Sequence, residues 1–307
     1  MDIDQPNAVL DMNASALQQK GAEFPRKAGD PASEFLPIPE FVIEAGGQDR
    51  HYWRDLWRYR ELFRVLAWRD ISVRYKQTVI GAAWALIRPL LTMIVFTVVF
   101  GRIAGLPSQG APYALLVFVG TLPWMLFSTG LTDASNSLVS NANLISKVYF
   151  PRLIIPGAAV MVSVVDFLIS LVILVGLMSW YRYIPGWQIL MLPIFIAIAF
   201  IASLGPSLWI TALNVKYRDF RYIIPFIVQF GLYVSPVGFS SSIIPEQWRV
   251  LYSINPMVGV IDGFRWCILG TDLYMPGLWI SIAVTAAFFC FGLNRFRRLE
   301  KGFADLI

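Results

Sequence analysis

Few side chains in this sequence have the types and spacing that covalent chemistry requires. The 307 residues include one histidine, His51, and two cysteines, Cys267 and Cys290, which show neither the spacing of a metal site nor that of a nucleophile with its base. No glycine-rich loop ending in Gly-Lys-Ser or Gly-Lys-Thr is present, and such a loop is what cradles nucleotide phosphates in many ATPases. The sequence therefore predicts no catalytic residue, no metal and no cofactor in this chain.

One polar stretch, residues 141–152, instead has the composition of a docking element. It is basic and aromatic, it separates two long apolar runs, and its residues 142–148 can form a short helix. Lysine and arginine can pair with acids of a cytosolic partner, and exposed aromatic rings can fill an apolar pocket. The alternative is an interfacial loop whose basic side chains reach the lipid headgroups. The candidate docking residues are Asn141, Asn143, Leu144, Lys147, Tyr149, Phe150 and Arg152.

The elements that position this stretch are apolar runs of membrane-spanning length. The chain is 57% hydrophobic and 15% charged, and its mean hydropathy is positive, which is typical of a polytopic membrane protein. A helix crosses the hydrocarbon with about 20 apolar residues. An all-α integral membrane protein with six transmembrane helices is therefore predicted. The six runs are 79–101, 111–132, 153–180, 187–213, 222–244 and 273–294.

Two ionisable residues lie inside these runs. Arg88 precedes Pro89 in the first run; it is either a functional charge within the membrane or a side chain near the cytosolic end that reaches the headgroups. Asp166 lies near the middle of the third run. It could relay protons, but a lone acid is more often paired inside a helix bundle.

The residues before the first run divide into two segments. Residues 1–50 are polar and rich in Gly, Pro, Ala, Asp and Gln, which predicts a disordered cytosolic tail. Residues 51–76 place arginines opposite an apolar arc, which predicts an amphipathic helix in the membrane interface rather than a surface helix of a soluble domain. The remaining residues, 77–307, are expected to form the transmembrane domain. The apolar arc consists of Leu56, Tyr59, Leu62, Phe63 and Leu66.

An interrupted segment, residues 245–272, precedes the last run. Its apolar part, 256–270, is too short to span a bilayer. Asp262 and Arg265 lie three residues apart within it and could pair across one helical turn. A short apolar segment of this kind predicts a re-entrant helical hairpin that enters the bilayer and returns.

The basic residues predict the orientation. Most of them flank the ends of the runs that face the cytosol if the first run enters from there, and Arg102, Arg182, Arg249 and Arg265 lie on the external side. We therefore expect a multi-pass protein of the cytoplasmic (inner) membrane, in contact with its lipids, with both termini in the cytosol. Because the net charge of +5 follows these flanks, no affinity for nucleic acid is expected.

Aromatic residues within the runs suggest a further role. Trp124, Phe127, Tyr233 and Phe239 are candidates to line a channel, since the apolar faces of sugar rings stack on aromatic rings. The alternative is the aromatic belt that marks both membrane interfaces in many membrane proteins.

Five stretches, in one order, resemble a known family. With them the chain resembles, from about Leu66 onwards, the permease subunit of ABC-2 type exporters of lipid-linked polysaccharide, which include O-antigen, teichoic acid and capsule systems. The tail at residues 1–50 departs from that pattern. The stretches are WRDISVRYKQTVIGAAWALIRP at 68–89, LPWMLFSTGLTDASNSLVSNANLISKVYFPRLIIP at 122–156, NVKYRDFRYIIP at 214–225, SPVGF at 235–239 and NPMVGVIDGFRW at 255–266.

The resemblance implies an assembly and a function. It implies two copies of this chain and two copies of a separate cytosolic ATPase, in which ATP and magnesium are expected. It also implies that residues 141–152 hold a coupling helix gripped by the ATPase, and that the region around residues 69–75 helps to close a cytosolic entry. The candidate entry and interface residues are Arg69, Asp70, Arg74, Tyr75, Trp84 and Arg88.

The leading hypothesis is therefore a non-enzymatic transport subunit that exports a lipid-linked polysaccharide, in particular O-antigen. A small-lipid or drug exporter of the same fold is one alternative. A membrane-embedded glycolipid transferase is another, although it would need several acids or basic residues gathered at one face to hold a metal or a diphosphate. Asp133, Asp219 and Asp262 are instead scattered over separate connections.

Overall fold

A computed structural model describes residues 52–76, 79–217 and 219–303, and within these ranges the chain forms helices and turns without any strand. The predicted all-α class is thus confirmed for the described part. The predicted tail at residues 1–50 lies outside the described residues, as do His51 and Arg218.

The described helices follow one another closely along the chain. A π-helical turn, Thr97–Ile103, continues α3, and 3₁₀ turns at Trp187–Met191 and Glu300–Gly302 lie before α7 and after α11. The α-helices are α1 Tyr52–Arg58, α2 Arg60–Lys76, α3 Val79–Phe96, α4 Tyr113–Ser140, α5 Ala142–Lys147, α6 Ile154–Trp180, α7 Leu192–Lys216, α8 Phe220–Val234, α9 Glu246–Tyr252, α10 Pro256–Leu269 and α11 Met275–Leu299.

Five helical segments are long and apolar enough to cross a membrane. They agree with five of the six predicted runs within a few residues, except that α4 extends past residue 132 and the first segment is shorter at its start. They are Leu86–Ile103, Tyr113–Ser140, Ile154–Trp180, Trp187–Lys216 and Met275–Leu299.

The remaining predicted run, 222–244, is wrong in its second half. Its helix, α8, ends at Val234 after 15 residues, a length of about 22 Å, whereas the hydrocarbon is about 30 Å thick. The physical reason is Pro236, which offers no N–H to continue the helix and disfavours the helical conformation of the residue before it. Ser235 accordingly has extended backbone angles, φ −86° and ψ 150°.

α10 is bounded by clear capping signals. The side chain of Asn255 accepts a hydrogen bond from the backbone N–H of Met257 at 3.0 Å, and Pro256 occupies the first helical turn, where its missing N–H costs little. The helix ends at Gly270, whose φ of 64° is left-handed. At 14 residues it is, as predicted, too short to span, and together with α9 it forms the helical segment between α8 and α11.

α4 is the central helix of the bundle. It packs against α3, α6, α7 and α10. In its most apolar stretch 83% of the residues are buried, compared with 11% for the span Leu86–Ile103, which joins the end of α3 to the π-helical turn. The reason lies in the sequence Leu115 to Val119, which is apolar on all sides of the helix and wholly inaccessible to solvent. α4 therefore fixes the positions of the shorter elements at its two ends.

α1 and α2 form one nearly continuous element, because the break at Tyr59 keeps its helical hydrogen bonds to Asp55 and Phe63. α2 packs against α3 and α6. The apolar arc predicted from the sequence does face inward: Leu66 is buried, and the other members pack against the same buried cluster. Trp57 and Trp68 point away from it, with 72% and 66% of their surface exposed.

Candidate functional site

A cluster of polar and charged side chains, Arg74 and Tyr75 with Asp133 and Asp166, connects α2 with α4 and α6 near the end of α4. We call this cluster the charged joint. Nη1 of Arg74 lies 2.8 Å from Oδ2 of Asp133 on α4, and Nη2 lies 3.4 Å from Oδ2 of Asp166 on α6. The hydroxyl of the neighbouring Tyr75 donates to Oδ1 of Asp166. The expected pairing of Asp166 inside the bundle is confirmed, and two of the candidate entry residues, Arg74 and Tyr75, supply its partners.

Arg69 and Asp70 extend this joint to the connection between α4 and α6, residues 141–153. Arg69 bonds to Oδ1 of Asp70 and to Oδ1 of Asn141, each at 2.8 Å. Asn141 in turn donates to the carbonyl of Ser137 at 2.8 Å, so it caps the end of α4. A cleft of about 490 Å³ opens between these side chains and Asp133.

The electrostatics of the joint favour a fixed contact over proton transfer. Burial acts to lower the pKa of Arg74, but the carboxylates of Asp133 and Asp166 outweigh it, so the pKa is raised and the guanidinium stays charged. Burial, with the hydrogen bond and charge of Asp166, raises the pKa of Tyr75, which therefore keeps its proton. The joint can therefore hold three helices together through a guanidinium that stays charged and a hydroxyl that keeps its proton.

The α4–α6 connection contains the predicted short helix, α5, and presents part of the predicted docking set. Asn143, Lys147 and Tyr149 are exposed, with 67% of the surface of Tyr149 accessible, and Leu144 is half-buried. Phe150 was expected to be exposed, and that expectation is wrong, because only 4% of its surface is accessible. Its ring belongs to the buried cluster that also contains Leu66, Ile145, Phe296 and Phe303.

Arg152, the last residue of the predicted docking set, is hydrogen-bonded to another residue of the same chain. Its backbone N–H donates to Oε1 of Glu300 at 2.6 Å, and its guanidinium donates to the carbonyl of Glu300. Glu300 was not predicted as a site residue. It lies 148 residues from Arg152, and no sequence motif links the two.

The four candidate channel residues do not share one surface. The expectation that Trp124 lines a channel is wrong for this chain, because only 5% of its surface is exposed and its ring packs in the core, 5.4 Å from the ring of Phe127. Tyr233 is 58% exposed and its ring lies 6.5 Å from that of Phe96, while the partly buried Phe239 lies 6.3 Å from Phe100. Only Tyr233 is available on the outer face of this chain.

Two helices expose apolar faces that the sequence analysis did not single out as a pair. On α8, Phe226 and Phe230 are 68% and 60% exposed and their rings stack, 6.1 Å apart. Their i, i+4 spacing is the signal that could have identified them. On α3, Trp84 and Arg88 lie one turn apart, and both are exposed; the charge of Arg88 acts on Asp133 of the charged joint.

The non-helical segment after α8, residues 235–239, is held by buried side chains. Arg265, 1% exposed, donates to the carbonyls of Val237 at 2.9 Å and Phe239 at 2.7 Å. It also donates to Leu116 on α4 at 3.3 Å. The predicted pairing of Arg265 with Asp262 does not form as a close ion pair, although the two charges still act on each other.

The site contains no arrangement that suits a metal. In the described part of the chain, no three His, Cys, Asp or Glu side chains lie close enough together to hold an ion. What the residues form is a polar joint beside a partly exposed connection, on a bundle of apolar helices. That combination defines a helical membrane protein with a polar cluster at one end of its bundle.

Comparison with known proteins identifies the family. The profile of the ABC-2 type transporter family matches residues 61–269, more than half of the chain, and the chain belongs to that family. The resemblance noted from the sequence is therefore confirmed.

Individual relatives agree with this assignment. An O-antigen export system permease protein RfbA of Klebsiella pneumoniae is 28% identical over 254 residues, which cover 80% of this chain and 95% of the relative. A protein of the same name from Myxococcus xanthus is 27% identical over 69% of this chain and 82% of its own length. The polysialic acid transport protein KpsM of Escherichia coli is 21% identical over 68% of this chain and 79% of its own length.

Proposed function

We propose that this chain is the transmembrane subunit of an ATP-driven exporter that moves a lipid-linked polysaccharide, in particular O-antigen, across the cytoplasmic (inner) membrane. The observation that carries the proposal is the match to the ABC-2 family together with the near-complete coverage of a relative named for O-antigen export. The relative named for polysialic acid transport also has a polysaccharide in its name. A polysaccharide is thus the cargo class common to the named relatives.

The chain crosses the membrane six times, with both termini in the cytosol. The distribution of basic residues supports this orientation. The additional crossing, fifth in chain order, is α8 completed by residues 235–239. Within that segment the carbonyls of Val237 and Phe239 are bonded by Arg265, as non-helical backbone at membrane depth requires. α9 and α10 form the re-entrant hairpin, and α1 and α2 lie in the interface, which the exposed Trp57 and Trp68 support.

The exporter contains two copies of this chain and two copies of a separate ATPase that binds ATP and magnesium. The second copy is placed against the exposed apolar faces of α3 and α8, which in a bilayer either lipid or another helix can cover. The ATPase contacts the α4–α6 connection at Asn143, Lys147 and Tyr149, which are exposed there. The ATPase supplies the work of transport, since the sequence of this chain contains no phosphate-binding loop that ends in Gly-Lys-Ser or Gly-Lys-Thr.

The polymer enters beside the α2 joint and moves along aromatic side chains. Arg69, Arg74 and Tyr75 hold the end of α2 against α4 and α6, with Asp70 bonded to Arg69, and in this way the region helps to close the entry. Tyr233, with Phe226 and Phe230 on the same helix, offers ring faces on which sugars can stack.

Deletion of the gene tests this function. We expect surface polysaccharide to be lost, lipid-linked polymer to accumulate in the cytosol, and a plasmid copy to reverse both, as measured by glycan extraction and fractionation. A transferase would give loss of surface polymer without accumulation. An exporter of drugs or small lipids would leave the surface polymer unchanged, and either of these results would overturn the proposal.

A further inference from the structure

The far end of the α4–α6 connection is bound to the segment that follows α11. As described above, Arg152 and Glu300 bind each other reciprocally: the side chain of each bonds to the main chain of the other. Such an arrangement fixes two backbones at once, because neither segment can shift without breaking both bonds. The charged partners make these bonds stronger than those between neutral groups.

A third segment joins at the same carboxylate. The hydroxyl of Tyr52 on α1 donates to Oε2 of Glu300 at 3.1 Å. Tyr52 is 7% exposed, and the guanidinium of Arg297 lies 4.6 Å from the centre of its ring. The two oxygens of Glu300 therefore tie the α4–α6 connection to both α1 and the end of α11.

Apolar packing also holds the end of the α4–α6 connection beside Arg152 and Glu300. Phe150, Phe296 and Phe303 are 4%, 0% and 1% exposed and belong to one buried cluster, and the rings of Phe296 and Phe303 are 5.4 Å apart. Between this anchored end and α5, Val148 and Tyr149 remain 49% and 67% exposed. The exposed residues Val148 and Tyr149 thus lie next to an end of the connection that is fixed by apolar packing and by hydrogen bonds.

We propose that Glu300 is a positioning residue of the coupling surface. It holds the α4–α6 connection against α1 and the end of α11, so that a push on Lys147 or Tyr149 moves the spans instead of bending the connection. The inference rests on the proposed function for its coupling role, while the physical restraint on the connection can be measured without it.

The restraint is measured on the full chain without a partner. A spin label is attached at Val148→Cys in a chain whose two native cysteines are replaced. We expect Glu300→Ala to increase the mobility of the label, and Glu300→Gln, which keeps an acceptor for the N–H of Arg152, to leave it near wild type. A label at Gln109→Cys, before the other end of α4, is the control. Unchanged mobility at residue 148, or an equal change at both positions, would overturn the proposal.

The coupling role is measured in a deletion strain that carries each variant at matched membrane level. We expect Glu300→Ala to lower surface polysaccharide by roughly tenfold or more, the scale of losing a hydrogen bond to a charged group, while the purified complex still hydrolyses ATP. Glu300→Gln should restore most of the export. Glu61→Ala, which removes an exposed acid of α2, should have no effect. If Glu300→Ala does not accumulate in the membrane, Tyr52→Phe removes a single hydroxyl and should give a smaller loss in the same direction.

The two measurements separate this inference from the proposed function. If the wild-type chain itself fails to restore surface polysaccharide, the proposed function is wrong, and the label still decides whether Glu300 holds the connection. If the label becomes mobile while export stays normal, the restraint is not needed for coupling and the positioning role is overturned.

Discussion

At the scale of single residues, Tyr149 and Phe150 are neighbours in the sequence with opposite environments. Tyr149 is exposed and Phe150 lies in a buried cluster, so each substitution tests a different property. We expect Tyr149→Ala to leave the membrane level unchanged and to weaken binding of the ATPase by roughly 2 kcal/mol, as truncation of an aromatic anchor does. Co-purification of the ATPase with tagged variants measures this.

Phe150→Ala is the matched control for that experiment. It should destabilise the fold by about 3–5 kcal/mol, because it leaves a cavity in a packed cluster, and a lower melting temperature and membrane level should follow. Normal ATPase recovery and normal export with Tyr149→Ala would rule out a docking role for the exposed ring.

Glu300 gives a prediction about pH. Burial raises the pKa of its carboxyl, and the bonds from Arg152 and Tyr52 and the charge of Arg297 only partly offset this. A carboxyl whose pKa is higher in the folded than in the unfolded state stabilises the fold most at low pH, and this contribution is lost as pH rises through the folded pKa. Melting curves of wild type and Glu300→Gln, taken upwards from about pH 4, near the pKa of an unperturbed glutamate, should therefore show the wild type losing stability relative to the variant. A difference independent of pH would show that the carboxyl is not perturbed.

At the scale of elements, the non-helical segment after α8, residues 235–239, depends on one buried arginine. Arg265 bonds three carbonyls, and Gly120 leaves the space for its guanidinium, since a Cβ there would lie 2.7 Å from Nη2. We expect Arg265→Leu to destabilise the protein by several kcal/mol, because each buried carbonyl left without a partner costs about 1–3 kcal/mol. Thermal unfolding in detergent measures the loss.

Arg249→Leu is the comparison for that variant. Arg249 also bonds two carbonyls, of Ser242 and Ile244, but it is only half-buried, so water can replace it and we expect a loss below about 1 kcal/mol. Equal losses for the two variants would show that the carbonyls of residues 235–239 do not depend on Arg265.

The same elements show which parts of the fold were predictable. Length and apolar composition are local properties, and they located five spans and the short α10. The end of α8 was also predictable, because Pro236 stands in the sequence, but the apolar residues that follow it concealed the break. The contacts of Arg74 with Asp133 and of Arg152 with Glu300 join residues 59 and 148 positions apart, and no local pattern determines such pairs.

The burial of aromatic residues was unpredictable for the same reason. Trp124 and Tyr233 both stand in apolar runs, yet the first is enclosed by neighbouring helices and the second is exposed. Which face of a membrane helix meets lipid, a second copy or the core depends on the packing of all the other helices. The composition indicated that aromatic side chains were available to line a channel. Only the packing shows which of them remain accessible.

At the scale of the whole molecule, α4 separates two exposed positions at opposite ends of the helix bundle. Gln109 lies just before α4 and Asn143 just after it, and both are exposed. The 28 residues of α4 give a helix of about 42 Å, longer than the hydrocarbon thickness of about 30 Å. If α4 crosses the bilayer, these two positions therefore lie on opposite sides of it.

We predict that a cysteine at Gln109 reacts with a membrane-impermeant maleimide added to intact cells and that a cysteine at Asn143 reacts only after the membrane is opened. Cys290 must be replaced first, since its thiol is exposed, whereas Cys267 is buried. Equal labelling of both positions after solubilisation controls for their intrinsic reactivity. Labelling of Asn143→Cys from outside would invert the orientation, and it would remove the α4–α6 connection from the side on which ATP is available.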